Sequence, residues 1–304
     1  MSLPRGVEQN HPLSRLTTVR TGGDAAFFAR PDTPDAVVAL LAWAQSENLE
    51  VGVIGSGSNL LVSDKGFPGL VIKLDGQLTQ SDFAADGTVS CGGGARLPRV
   101  AARAADHGLA GLEFGVNIPG TVGGAIRMNA NAYGGQLEKV LVWAEVATPQ
   151  GVERRMPDQF GFSYRHSNIA GLQVVTQAEF KLSPSDPQTV KATLADLRDR
   201  RRAAQPSGIK TFGSTFKNPD DPRAEGRTAG QLLEAAGCKS MTRGGARFSP
   251  DHANFVENFD GATTADVIAL IAAGRAAVKQ AFGIELETEV QVLGEVDPQL
   301  WGTA

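Results

Sequence analysis

Gly213-Ser-Thr-Phe-Lys-Asn-Pro219 sets a hydroxyl, an ammonium and a carboxamide close together at Ser214, Lys217 and Asn218. A serine after glycine can present its hydroxyl at a turn, and a nearby cation eases loss of its proton. The Gly-x-Ser-x-Gly elbow of hydrolases is absent, and a turn serine can equally cap backbone. Phe162-Ser-Tyr-Arg165 brings a guanidinium just before a turn, free to serve as a plain surface arginine or to meet an anion. Near the C-terminus a two-residue period sends Ile284, Leu286, Val290 and Val292 to one face and Glu285, Glu287 and Glu289 to the other. A solvated face accounts for Glu285 and Glu287. The four histidines, His11, His107, His166 and His252, show no metal-ligand spacing, so no metal site is expected.

Glycine supplies the second kind of chemistry, with 36 in 304 residues. Gly55-Ser-Gly-Ser-Asn59 follows an apolar run, but Leu60 stands where a dinucleotide fingerprint needs its third glycine and an opening helix. Successive small residues after a buried strand expose several backbone N–H groups, which can cradle an anion, with Ser56, Ser58 and Asn59 as further donors. A glycine-rich β-turn fits the same residues. Pro119-Gly-Thr-Val-Gly-Gly124 has the same character, as a ligand-facing loop around Gly120, Thr121, Gly123 and Gly124 or as a turn between helix and strand. Two such loops together favour a phosphate-bearing, flat cofactor.

These residues need elements to hold them. Thr33-Pro34-Asp35 opens a helix running to about Asn48, with Val37, Leu40, Leu41 and Ala44 on one face. Val51–Ile54, Leu60–Val62 and Leu70–Leu74 read as strands, so the first glycine loop joins strand to strand. Val89–Gly94 reads as a strand, and Leu97, Val100, Ala101 and Ala104 mark a helix ending at Gly108. Val140–Thr148, Gly151–Arg155 and Val174–Leu182 read as antiparallel strands. A helix follows through Ala203, the stretch to Gly283 reads as mostly helical, and an alternating strand, Ile284–Leu293, closes the chain. The order implies an α+β protein of at least two units, divided near residue 184.

Composition excludes several classes. Hydrophobic residues at 41% and charged residues at 20% are those of a globular chain, and a net charge of −4 does not suit a nucleic-acid binder. Two cysteines, Cys91 and Cys238, give neither disulfide framework nor metal spacing. The start, Met-Ser-Leu-Pro-Arg, lacks an apolar signal core, and Gly108–Ile126 is too interrupted to cross a bilayer. A cytoplasmic protein acting on a small molecule, with no membrane, nucleic-acid or obligate protein partner, is expected.

Eight segments occur together and in order: Ile54-Gly-Ser-Gly-Ser-Asn-Leu-Leu, Ile118-Pro-Gly-Thr-Val-Gly-Gly-Ala, Met128-Asn-Ala-Asn-Ala-Tyr-Gly-Gly, Tyr164-Arg-His-Ser, Gly213-Ser-Thr-Phe-Lys-Asn-Pro, Ala229-Gly-Gln-Leu-Leu-Glu-Ala-Ala-Gly, His252-Ala-Asn-Phe-Val and Leu286-Glu-Thr-Glu-Val. The chain thereby resembles the UDP-N-acetylenolpyruvoylglucosamine reductases from about Leu13 to Gly294. The resemblance implies FAD held by a vanillyl-alcohol-oxidase-like pair of subdomains, 1–75 with 284–304 and 76–184, and a UDP-sugar subdomain over 185–283. It implies that NADPH reduces FAD and that UDP-N-acetylglucosamine enolpyruvate is then reduced to UDP-N-acetylmuramate for peptidoglycan. Gly55, Ser56, Gly57, Ser58 and Asn59, with Gly120, Thr121, Gly123, Gly124 and Ala125, become the FAD loops. Ser214, Glu289 and Arg165 take the catalytic positions, and Lys217 and Asn218 lie along the nucleotide-sugar.

The chain looks like the shorter type, without the tyrosine-bearing insertion after Tyr164-Arg-His-Ser. Where the family usually has Met-Asn-Ala-Gly-Ala, it has Asn131, and asparagine's tolerance of the left-handed region is expected to preserve the turn. Another FAD oxidase or dehydrogenase of the superfamily, or a flavin- or nucleotide-binding module, are the alternatives.

Overall fold

The computed structural model describes residues 3–204 and 210–301. The chain is α+β, and its contacts gather into two compact units. The first takes the described residues of Met1–Asn10, Ala26–Ser56 and Pro68–Arg201; the second takes those of His11–Ala25, Gly57–Phe67 and Arg202–Ala304.

In the first unit, Val51–Val53 runs parallel to Phe67–Ile72, with Val53 opposite Ile72. The helix Pro34–Ser46 starts as its sequence requires: Thr33 Oγ1 accepts from the Ala36 N–H at 3.1 Å, and Pro34 fills the first turn. Its buried Val37, Leu40, Leu41 and Ala44 pack with Ala29, Leu70 and Ile72. Each such aliphatic side chain contributes roughly 1.5–3 kcal/mol on burial. A five-stranded antiparallel sheet follows the order Gly151–Arg155, Leu141–Thr148, Val174–Lys181, Thr88–Gly92, Ser81–Phe83. The helix Leu97–Asp106 adds Leu97, Val100, Ala101 and Ala104 to that core, as its spacing predicts. Helix Pro187–Ala204 adds Val190, Leu194 and Leu197.

The second unit corrects the expectation of a mostly helical segment. Between the helices lies a four-stranded antiparallel sheet, ordered Thr211–Gly213, Phe255–Asn258, Ala246–Phe248, Thr242–Arg243. The strands are only two to four residues long, and all four positions of Phe255–Asn258 are buried. Runs this short give too few positions for a two-residue period to stand out in a sequence reading. Helices Ala229–Ala235 and Thr264–Phe282 pack Leu232, Leu233, Val267, Ile271 and Val278 with Phe212, Phe248 and Val256. The second helix has a reciprocal cap, Thr263 Oγ1 with the Asp266 N–H and Asp266 Oδ2 with the Thr263 N–H, and ends at Gly283 with φ +69°.

The closing strand is also shorter than expected. Ile284, Leu286 and Val290 are buried as the alternation predicts, but only Gln291–Leu293 forms a ladder, parallel to Leu60–Val62. Residues 287–290 are held by separate hydrogen bonds to the Ser214 segment, described below.

Candidate active site

Within the second unit, the structure brings the Ser214 segment and the Glu289 segment side by side. The Glu289 N–H donates to the Thr215 carbonyl at 2.8 Å, the Lys217 N–H donates to the Glu287 carbonyl at 2.9 Å, and Phe216 bridges Thr288. Asn59, from the end of the first glycine loop, donates through Nδ2 to the Glu289 carbonyl at 3.2 Å. Ser214 and Glu289 are both half-buried.

A buried asparagine that sequence reasoning missed holds the serine segment in place. Asn254 is 3% exposed. Its Oδ1 accepts from the Phe216 N–H at 2.8 Å, its Nδ2 donates to the Phe216 carbonyl at 2.9 Å, and its own carbonyl accepts from the Thr215 N–H at 2.9 Å. His252 Nδ1 in turn accepts from the Asn254 N–H at 3.2 Å, which requires that nitrogen unprotonated. Burial, the main cause, and the Lys239 ammonium lower the His252 pKa, against the pull of its own backbone hydrogen bond and of Glu234. Gly213 is fixed by packing, since a methyl there would lie 2.4 Å from the Phe255 ring. The Gly213–Ser214 peptide is cis.

Lys217 and Asn218 are engaged by the protein itself. The Lys217 ammonium pairs with the Glu287 carboxylate, which stays exposed as expected of a solvated face. Asn218 Oδ1 accepts from the Ala229 N–H at 3.1 Å, at the start of helix Ala229–Ala235.

In the first unit, parts of both glycine loops meet. Gly55 lies against Thr121; a methyl on Gly55 would come within 2.5 Å of Thr121 Oγ1. The second loop opens the short helix Val122–Arg127, where a turn leading to a strand was the competing expectation. Thr121 caps it, Oγ1 accepting from the Gly124 N–H at 3.3 Å, while the Gly123 N–H donates to the Gly93 carbonyl at 2.7 Å. Lys73 is the cation that the sequence reading passed over. Its Nζ donates to the Gly55 carbonyl, and burial first, then the Arg30 and Arg96 charges, lower its pKa against the opposing pull of Asp75. The signal was positional: Lys73 follows Ile72 at the carboxyl end of the parallel pair, beside the turn after Val53, where ligands gather in parallel sheets.

The glycines test whether a dinucleotide fits here. Gly57, in the second unit, is demanded by the fold: its φ is +66° and a methyl would lie 2.0 Å from the Leu16 carbonyl oxygen. Gly120 and Gly124 are not so demanded. Neither has positive φ, and a methyl would meet only Ile118 at 3.9 Å or Thr121 at 3.5 Å. Backbone left bare where the protein has no need of it suits close approach by a flat ligand. Gly55, Ser56, Gly120, Thr121, Gly123, Gly124 and Ala125, with Lys73, could hold FAD along this face. Among the described residues, no group of three or more His, Cys, Asp or Glu side chains is placed to hold a metal, and no helix is long and apolar enough to cross a membrane.

Arg165 belongs to the first unit, at the tip of the tight turn Ser163–His166, whose ends bridge each other. Its φ is +57°, in the left-handed region that arginine seldom occupies. Asn131 departs from expectation. It is not among the positive-φ residues; it sits in the strand Asn131–Ala132, paired with Gln136, and the left-handed positions are Asn129 and Tyr133 on either side. A two-residue strand permits extended backbone here, so asparagine is not needed for its φ.

Comparison with known proteins matches an FAD binding domain over residues 25–156 and the UDP-N-acetylenolpyruvoylglucosamine reductase C-terminal domain over 205–293. With the fold, these define an FAD-dependent oxidoreductase with the vanillyl-alcohol-oxidase-like FAD-binding fold and a further C-terminal domain. The chain is 43% identical to a UDP-N-acetylenolpyruvoylglucosamine reductase of Anaeromyxobacter dehalogenans, covering 94% of this chain and 85% of the relative. It is 41% identical to the Levilactobacillus brevis enzyme of that name, covering 94% and 93%. The crystal structure of the Thermus caldophilus enzyme superposes with a TM-score of 0.80 at 32% identity, covering 95% of this chain and 99% of that one. The chain belongs to the UDP-N-acetylenolpyruvoylglucosamine reductase family.

Proposed function

We propose that this chain uses NADPH to reduce UDP-N-acetylglucosamine enolpyruvate to UDP-N-acetylmuramate, a peptidoglycan precursor, in the cytoplasm. The observation that carries the site assignment is the bonding of the Ser214 segment to the Glu289 segment, which sets a hydroxyl and a carboxyl on adjoining backbone. We assign FAD binding to 1–75 with 284–304 and to 76–184, and the nucleotide-sugar to 185–283.

FAD, when bound, supplies the two-electron relay from the nicotinamide to the substrate alkene. The demand on the protein is then electrostatic. Hydride addition at the outer alkene carbon leaves charge spread into the substrate carboxylate, and a proton must reach the inner carbon. Arg165 pairs with that carboxylate, an interaction strongest where water is scarce. Ser214 donates the proton; a serine is a weak acid, so it acts on a strongly basic carbanion. Glu289 polarises the enolate if it carries its proton, or acts through an adjacent group. Lys217 and Asn218 flank the path of the UDP-sugar, Lys217 exchanging Glu287 for a phosphate oxygen.

The test is anaerobic. NADPH should bleach the yellow protein and the enolpyruvyl UDP-sugar should restore its colour. A protein that recovers colour with oxygen but not with the sugar would contradict the proposal.

A further inference from the structure

Arg165 sits on a turn that is tied to one neighbouring segment at alternate residues. The Ser167 hydroxyl donates to the Arg127 carbonyl at 2.8 Å, and Asn129 Nδ2 donates to the Ser163 carbonyl at 3.2 Å. Asn131 completes the series on the guanidinium itself: Arg165 Nη1 donates to Asn131 Oδ1 at 2.9 Å and to the Asn131 carbonyl at 3.3 Å. The first two bonds fix backbone. The third acts on the charged end of the side chain.

We propose that Asn131 is a positioning residue for substrate reduction, aiming the Arg165 guanidinium at the substrate carboxylate through its side-chain oxygen. This rests on the reading of Arg165 given above. An arginine has many rotamers, and capturing an anion with it costs the entropy of choosing one. The Tyr164 ring lies 5.1 Å from the guanidinium carbon and limits the choice from one side. Asn131 limits it from another, with two acceptors converging on one nitrogen. Its amide is neutral, so it orients the guanidinium without cancelling the charge that the carboxylate needs, as an aspartate there would. The extended backbone at Asn131 supports this role, because it removes the conformational reason for having asparagine at that position.

The experiment compares Asn131→Ala, Arg165→Ala and the double variant with the parent holoenzyme. It measures both half-reactions anaerobically, KM for the enolpyruvyl UDP-sugar, and thermal stability. Asn131→Ala should leave flavin reduction by NADPH and the melting temperature unchanged, while kcat/KM for the sugar falls about 10- to 150-fold, the size of one charge-assisted hydrogen bond. In the Arg165→Ala background the same substitution should have no further effect, because its target is gone. Unchanged sugar kinetics in Asn131→Ala overturns the proposal. So does a loss that carries over in full onto Arg165→Ala, or one shared by both half-reactions with a lowered melting temperature, as a structural role would give. An Arg165→Ala enzyme that still reduces the sugar at the parental rate would remove the Arg165 reading and this proposal together. A defective Arg165→Ala beside an intact Asn131→Ala removes only the proposal.

Discussion

Ser214 and Arg165 each sit on a segment held by an asparagine, and the two asparagines work in different ways. Asn254 is buried and spends its side chain on the backbone of Phe216. Asn131 is half-buried, and its side-chain oxygen meets a side chain. The serine segment is dictated by the interior of its unit, down to Gly213 against the Phe255 ring. The arginine turn has its backbone tied by Ser167 and Asn129 and its guanidinium bonded by Asn131. Where packing fixes every neighbour, a substitution costs stability first; where it does not, a substitution can cost function alone.

The largest effect expected from this contrast is on folding. Asn254→Ala strands a buried N–H and a buried carbonyl on Phe216 and should cost about 3 kcal/mol in denaturant unfolding, whereas Asn131→Ala should cost under about 1 kcal/mol. Equal costs would break the contrast.

A pH dependence should follow the serine segment. His252 titrates below its ordinary value in the native chain. The unfolded chain therefore takes up a proton first as pH falls through about 6.5, and stability declines from there down to the native pKa. Protonation also removes the acceptor for the Asn254 N–H. His252→Gln should flatten that acid-side decline in melting temperature; a decline of unchanged slope would show that another group is responsible.

The smallest effect on stability is expected at Gly124. Its surroundings leave room for a methyl and it lies in a helix, so Gly124→Ala should change unfolding free energy by no more than about 1 kcal/mol. Bound FAD per chain should nevertheless fall, since a methyl would stand on bare backbone. Full flavin content in Gly124→Ala would remove this loop from the FAD face.

Much of this was legible from residue order. The Thr33 cap, the Gly283 stop and the strand–loop–strand around Gly55 follow from local chemistry that acts wherever those residues stand. The sheet built from Thr211–Gly213, Ala246–Phe248 and Phe255–Asn258 was not legible, because strands of three or four residues offer too few positions for a two-residue period to stand out. The site divides in the same way. Ser214, Glu289, Arg165 and the glycine loops were named from motifs. Asn254 and Lys73 act through contacts between residues distant in sequence, and His252 acts through its near neighbour Asn254. Asn254 and the Ser214 segment are 38 residues apart in their shared bonds, and no spacing announces that pairing.

The central claim is that Ser214 delivers the proton that completes reduction of the sugar. Anaerobic mixing of Ser214→Ala with NADPH should bleach the flavin at the parental rate, and adding the enolpyruvyl UDP-sugar should restore the colour at least about 100-fold more slowly than in the parent. Recovery at the parental rate would contradict the account.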